Sequence, residues 1–282
     1  MSALELIESI KDYNVLFVGD AIVDEYHYVT SLSKTPKEHL IPVAFNSSEI
    51  FAGGVDAAAA HLRSFCASVT VCKNGGAIHK VRFVDKLYTR KLFEVHYQEE
   101  VNPDYSAIDG DYDAVVVTDF GHGQICSDTI ERLKSMPFVA INAQTNSANY
   151  GYNLITKYSK ADYIVIDEPE ARLAAADRTS PIEDVILKLS DGRCNKFVVT
   201  HGSNGAIGYD GAFHRCPAFT DRVVDTMGAG DAFFAVTAPM ARRGEMADLL
   251  RIGNAAGALK TQIVGHRRSI TKDELIEFLR TH

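Results

Sequence analysis

The sequence predicts an α/β fold, a mostly parallel central sheet with helices on both faces. Three observations carry that expectation. Short apolar runs recur along the chain, and most close on a polar residue at the strand end. Helix-length segments, 127–135, 169–176 and 181–190, fall between them, the alternation expected of parallel strands joined by helices. No Gly/Ser- or Pro-rich linker, fixed-period repeat or low-complexity tract divides the chain, so residues 1–282 read as one domain.

The elements follow in order. Leu4, Ile7 and Ile10 alternate with Glu5, Glu8 and Asp12 in the pattern of a short amphipathic helix, not of an export signal. Val15-Leu16-Phe17-Val18-Gly19-Asp20 reads as a buried strand, because the flanking Asp12-Tyr13-Asn14 and Gly19 break a helix. Residues 21–50 are polar, with Pro36, Pro42 and scattered β-branched and aromatic residues, and predict short strands or a loop-rich flap. Gly53-Gly54 opens the Ala-rich segment Val55–Leu62 as a turn entering a buried helix. Val69–Cys72 is the next core strand. Residues 81–99 mix Val, Phe, Tyr and Thr with charges, as exposed antiparallel strands do. Ala114–Asp119, Phe138–Asn142, Tyr163–Asp167 and Phe197–Thr200 are further core strands. The β-rich segments near 21–50 and 81–100 form a small outgrowth on the main sheet.

Composition narrows the function. The 282 residues are 46% hydrophobic and 23% charged, an ordinary globular balance with ample core. A net charge of −8 argues against wholesale nucleic-acid binding, but not against phosphate ligands held by local donors. Five cysteines without a Cys-x-x-Cys pair imply reduced thiols in a cytoplasmic protein, neither a disulfide framework nor a structural zinc site. No apolar run is long enough to span a membrane, and no His-x-x-x-His pair suggests a catalytic zinc.

Ligands of parallel α/β sheets bind beyond the carboxyl ends of the strands, where Asp20, Asp119, Asp167 and Thr200 fall. Asp225-Thr226-Met227-Gly228-Ala229-Gly230-Asp231 precedes an apolar helical run. Small residues at a helix N-terminus let backbone N–H groups close on an anion. Asp231, on the first turn, is positioned to accept the proton of an attacking hydroxyl. It fits the role of a plain helix cap equally well.

Asp225–Phe233 resembles the carboxy-terminal signature of the PfkB (ribokinase-like) carbohydrate kinases, and the resemblance extends along nearly the whole chain. Gly19–Asp24 resembles the family's first strand and its sugar-binding acid, which falls on Asp24. Gly53-Gly54 resembles its sugar-pocket glycines, Thr200-His201-Gly202-Ser203-Asn204-Gly205 its nucleotide loop, and Asn254 a helix residue near the adenine. Gly19–Tyr26, Arg82–Glu99 and Val117–Gly123 look most like the heptose-phosphate kinases of ADP-heptose synthesis. The resemblance implies a ribokinase-like fold with a β-lid made by the outgrowth, and transfer of the ATP γ-phosphoryl to a sugar hydroxyl with Mg²⁺. It implies Asp231 as base, the backbone of Gly228, Ala229 and Gly230 as anion hole, and Asp24 with Gly53 and Gly54 at the sugar. Asp119, at its strand end, and Asp56, beside Ala57, are read as further sugar contacts. The resemblance also implies Thr200, Gly202, Gly205, Thr226 and Asn254 at the nucleotide, and Asp167 and Glu170 near the metal. Exposed strands in the lid invite pairing with another subunit, which suggests a homodimer through the lid.

Three departures fall on ligand-facing positions. Ala57 stands where the family has Asn, with Asp56 as a neighbouring substitute. Asp167 replaces Asn in Asp167-Glu168-Pro169-Glu170, and His122 replaces the Lys common in heptose kinases. They imply a changed sugar, or, as the alternative, a binding module that has lost catalysis. A dehydrogenase is disfavoured, since no Gly-x-Gly-x-x-Gly follows the first strand. The amide-rich Asn142–Tyr150 fits either sugar binding or a surface turn. Arg82, Lys86, Arg90 and Lys91 fit either a sugar phosphate or a solvated strand face. Gly265–Ser269 fits a border of the ATP site, a monovalent-cation loop or a surface turn.

Overall fold

The structure is a computed structural model that describes all residues except 33–39, 74, 77, 89, 99–101 and 220–222. Pro36 and parts of both expected lid segments therefore lie outside the described residues. The elements run α1 (Ala3–Glu8), β1 (Asn14–Gly19), β2 (Ala21–Ser31), β3 (Val43–Gly53), α2 (Gly54–Ala60), β4 (Ser68–Lys73), β5 (Ile78–Asp85), β6 (Arg90–Gln98), β7 (Ala114–Asp119) and α3 (Ser127–Leu133). They continue as β8 (Val139–Ala143), β9 (Ala161–Asp167), α4 (Glu168–Ala175), α5 (Ile182–Ser190), β10 (Cys194–Thr200), β11 (Ala206–Tyr209), β12 (Phe213–Cys216), α6 (Ala229–Met240), α7 (Met246–Lys260) and α8 (Lys272–Thr281).

The large sheet has the order β12-β11-β10-β9-β8-β7-β1-β4. From β10 to β4 every pairing is parallel, and β11 and β12 close one edge antiparallel. Period-two alternation explains the unbroken apolar runs. Val15, Phe17, Val116, Ala140, Val165 and Val198 pack toward α1, α2, α6, α7 and α8. Leu16, Val18, Val115, Ile141, Ile166 and Val199 pack on the opposite face toward α4 and α5. Both faces are covered, as an all-parallel core requires.

The second sheet, β3-β2-β5-β6, is the expected outgrowth, with two differences. The described part of this segment forms two 11-residue strands, Ala21–Ser31 and Val43–Gly53, rather than short ones or a flap. Their polar composition reflects a strand whose residues are mostly half or fully exposed, not loss of the strand. The sheet is also mixed: β5 runs antiparallel to β6 but parallel to β2. This sheet reaches the loops at the carboxyl edge of the large one. Tyr26 donates to Met227 Sδ at 2.8 Å, and Arg267 pairs with Glu49 at 2.8 Å.

Candidate active site

Asp231 sits on the first turn of α6, a helix so apolar that residues 232–240 are all buried. Gly228 is its N-cap, at φ 74°, and a Cβ there would lie 3.2 Å from Lys260 and 3.3 Å from His266. Only glycine satisfies both that backbone and that space. A Cβ on Gly230 would meet nothing within 4 Å, so the cavity there is left open. The N–H groups of Gly228, Gly230 and Asp231 have no acceptor among the described residues, and they make a donor set at a positive helix end. Ala229 differs from expectation, because its N–H is turned back to Thr226 O at 3.3 Å.

Gln144 donates to Asp231 Oδ1 at 2.5 Å, and also to Asn142 Oδ1 at 2.9 Å. Burial pushes the Asp231 carboxyl above the usual range, against His266, Gln144 and Lys260, which favour its charged form. A carboxyl raised in this way, beside free N–H donors, can take a hydroxyl proton while the donors hold an anion. The amide-rich stretch after β8 is thus not a surface turn at Gln144; Thr145 N–H also donates to Glu170 Oε1 at 2.9 Å.

Asp24 on β2 is 4% exposed. It is ion-paired with Arg82 of β5, and His266 Nε2 lies 3.4 Å from Oδ2. Burial works to raise its pKa, but His266 and Arg82 together outweigh burial and hold it at about 2. Gly53 belongs to this site by necessity, since a Cβ would come within 2.3 Å of Asp24 Oδ2. Gly54, at φ 54°, bends the chain into α2 so tightly that a Cβ would lie 2.4 Å from Asp20 O.

One expected sugar contact is corrected. Asp119 is fully buried and saturated: it accepts from Tyr158 at 2.5 Å, from Asn153 and Gly121 at 3.1 Å each, and pairs with Lys157. No lone pair is left for a ligand, and its work is to anchor the loops after β7 and β8. Asp56 pairs through Oδ2 with Lys73 at 2.6 Å, and Ala57, where the family has an amide, is buried. Asp20 likewise serves the fold, accepting N–H groups from Phe120, His122 and Gln124 at 2.9–3.2 Å.

Asp167 and Glu170 form a reciprocal cap on α4: Glu170 N–H donates to Asp167 at 2.7 Å and Asp167 N–H to Glu170 at 2.9 Å. Both line a cavity of about 200 Å³ shared with Gln144, Thr200, Gly228, Gly230 and Asp231. Burial and then Asp167 push Glu170 up to about 8. Among the described residues no group of three or more His, Cys, Asp or Glu could cage a metal alone. Two carboxyls beside an open cavity do suit a hydrated divalent ion whose remaining ligands are phosphates.

A larger, mostly apolar cleft of about 630 Å³ adjoins this cavity. Thr200, Gly202, Gly205, Thr226 and Asn254, the residues expected at a nucleotide, all line it. Gly202 faces open space, whereas a Cβ on Gly205 would meet Cys216 O at 2.1 Å. Asn254 gives its amide protons to Cys216 O and Pro217 O at 2.9 and 3.1 Å, fixing the cleft wall.

On the far side of Asp24 lie two residues that sequence reasoning missed or read only as a departure. Lys80 of β5 is 7% exposed, and its ammonium makes no hydrogen bond or ion pair among the described residues. His122 is 6% exposed, and its Nε2 has no partner. Burial, Lys80 and His96 push His122 down to about 4. Of the basic residues expected here, Arg82 holds Asp24 and Lys91 lies 3.9 Å from Asp225, while Lys86 and Arg90 are exposed. The basic turn 265–269 is no plain surface turn: His266 meets Asp24 and Arg267 meets Glu49.

Comparison with known proteins agrees with this architecture. The chain is 24% identical, over 92% of its length, to the bifunctional protein HldE of Bradyrhizobium diazoefficiens, but spans only 62% of that protein. It is 32% identical to a ribokinase of Lactococcus lactis over 39% of its length and 36% of that enzyme. A ribokinase structure from Thermotoga maritima superposes with a TM-score of 0.74 at 17% identity, covering 95% of this chain and 99% of that one, which establishes a ribokinase-like fold. The profile of the pfkB family carbohydrate kinases matches residues 104–273, and the chain belongs to that family.

Proposed function

We propose that the chain transfers the γ-phosphoryl of ATP to a hydroxyl of a sugar that already carries a phosphate. One observation carries the choice of acceptor: the Lys80 ammonium, near Asp24, meets no acceptor or carboxylate among the described residues, and the buried Nε2 of neighbouring His122 has no partner, so both are free to meet an anion. A heptose phosphate is the favoured acceptor, given the resemblance of the segments that hold these residues.

ATP lies in the 630 Å³ cleft, its base against the apolar walls and its phosphates toward Gly228 and Gly230. Asp24 grips sugar hydroxyls, with Arg82 and His266 fixing its orientation. Asp231 takes the proton of the attacking hydroxyl. The oxygen forms its bond to the γ-phosphorus in line as the bond to the bridging oxygen of ADP breaks, and that electron pair leaves with ADP. The N–H groups of Gly228, Gly230 and Asp231 hold the charge that migrates. Asp167 and Glu170 would hold Mg²⁺ brought with the nucleotide, and the ion would supply neutralisation of phosphate charge.

Phe45, Ile50, Phe93, Val95 and Tyr97 are exposed on the small sheet. A second copy of the chain is the partner we propose for that face, which makes the sheet a lid shared by a homodimer. Five unpaired cysteines suit a cytoplasmic setting.

The test is a phosphorylation screen against heptose phosphates, hexose phosphates and free sugars, followed by ³¹P NMR. Transfer to a phosphorylated sugar, with free sugars poor, is the expected result. Transfer to free sugars alone would overturn the choice of acceptor. No transfer and no calorimetric ATP binding would favour a non-catalytic module, the reading that Ala57 and Asp167 support.

A further inference from the structure

Lys260 ends α7 and is fully buried. Its Nζ donates to Met227 O at 2.7 Å, Gly265 O at 2.8 Å and Ile263 O at 3.5 Å. An ammonium has three protons, and all three are directed at backbone carbonyls. No carboxylate lies within ion-pair distance of it among the described residues. None of the three acceptors belongs to α7, so this is not the lysine of an ordinary helix C-terminus, which serves its own last carbonyls. Met227 lies on the loop entering α6, and Ile263 and Gly265 lie on the loop leaving α7.

Those two loops are joined at several further points. Gly265 N–H donates to Asp225 Oδ2 at 2.8 Å, and the N–H groups of Val224 and Asp225 reach Thr261 O at 2.9 and 3.0 Å. Lys260 Cε underlies Gly228, 3.2 Å from where a Cβ would stand. A positive charge among neutral carbonyl oxygens, one residue from the N-cap of α6, is the coordination of a monovalent cation, supplied here by the chain itself. A free cation does not fit this cage, because the ammonium already holds the oxygens that would ligate it.

We infer that Lys260 is a built-in monovalent cation: a positioning residue whose ammonium fixes the 225–228 loop so that the N–H groups of Gly228, Gly230 and Asp231 converge on the phosphoryl group. The inference rests on the kinase reading for its catalytic part. Its structural part, a carbonyl cage filled by the chain, stands without it. The consequence is an enzyme indifferent to K⁺, in contrast to the monovalent-cation loop that is one of the readings residues 265–269 fit.

The experiment compares the native chain with Lys260→Ala in KCl, NH₄Cl and tetramethylammonium chloride at one ionic strength. Melting is read in every case, and turnover is read with ATP and the best acceptor from the screen. The native chain is expected to melt and turn over alike in all three salts. Lys260→Ala is expected to lose about a hundredfold in kcat with KM for ATP little changed, as when donors of an oxyanion hole are displaced. K⁺ or NH₄⁺, but not tetramethylammonium, should restore about tenfold of that loss and raise the variant's melting temperature by mass action. A purely structural lysine would show no such rescue. Native melting or turnover that depends on K⁺, or a folded variant blind to small cations, overturns the inference. If Lys260→Ala does not fold, a rubidium soak of native crystals decides: an anomalous peak among the Met227, Ile263 and Gly265 carbonyls contradicts it, and a cage without one supports it. Melting and the soak need no acceptor, so failure of the kinase reading would show as absent turnover alone.

Discussion

Gln144 donates to Asp231 at 2.5 Å across 87 residues of sequence, and so couples the loop after β8 to the first turn of α6. The bond favours the ionised carboxylate against the burial that raises its pKa. Removing it in Gln144→Leu leaves burial unopposed by that partner, and the Asp231 pKa rises further. A base works deprotonated, so the acid limb of the kcat/KM profile is expected to move upward by about one pH unit. A pH–rate profile of the variant checks the sign.

Gly230 and Gly53 predict opposite outcomes for one substitution. Gly230→Ala places its methyl in open space on the first turn of α6, so melting is expected to hold or rise slightly. The methyl fills the phosphoryl cavity, and turnover is expected to fall about a hundredfold. Gly53→Ala drives a methyl to within 2.3 Å of Asp24 Oδ2, and it is expected to cost roughly 1–3 kcal/mol of stability. Denaturant unfolding and turnover, measured side by side, separate the two.

The contrast shows what the sequence can carry. Gly228–Asp231 is legible because donors and base are contiguous and the following helix is unbroken. The core strands are legible because burial on both faces leaves no polar alternation. Gln144 is not legible: it lies in a stretch of Asn, Ser and Thr that any turn would favour, and its partner is set by the order of strands. Asp119 misleads for a related reason. A strand-end acid looks the same in sequence whether it meets a ligand or, as here, Tyr158, Asn153 and Lys157. Lys80 escapes because the reading of the lid begins one residue later, whereas period two along β5 puts Lys80 on the face of Arg82.

Lys80→Met keeps the length of the side chain and removes its charge. Loss of one charged hydrogen bond to a phosphate is expected to raise KM for a phosphorylated acceptor roughly tenfold to a hundredfold. A free sugar lacks the phosphate, so its KM is expected to change little. Steady-state kinetics with the matched pair of acceptors measures the difference.

Asp119→Ala tests the correction made for that residue. Deleting a buried carboxylate leaves Tyr158 and Asn153 without their acceptor, and the loss of stability is expected to be about 3 kcal/mol. KM for the acceptor is expected to stay near native in the folded fraction. A large KM effect without destabilisation would return Asp119 to the substrate.

The most direct measurement is Asp231→Asn, assayed for ATP affinity by calorimetry and for phosphoryl transfer by ³¹P NMR. The substitution keeps the shape of the side chain and removes its basicity. Transfer is expected to fall about a thousandfold while ATP binding and melting stay near native. Transfer at close to the native rate would contradict the assignment of Asp231 as the base at the mouth of α6.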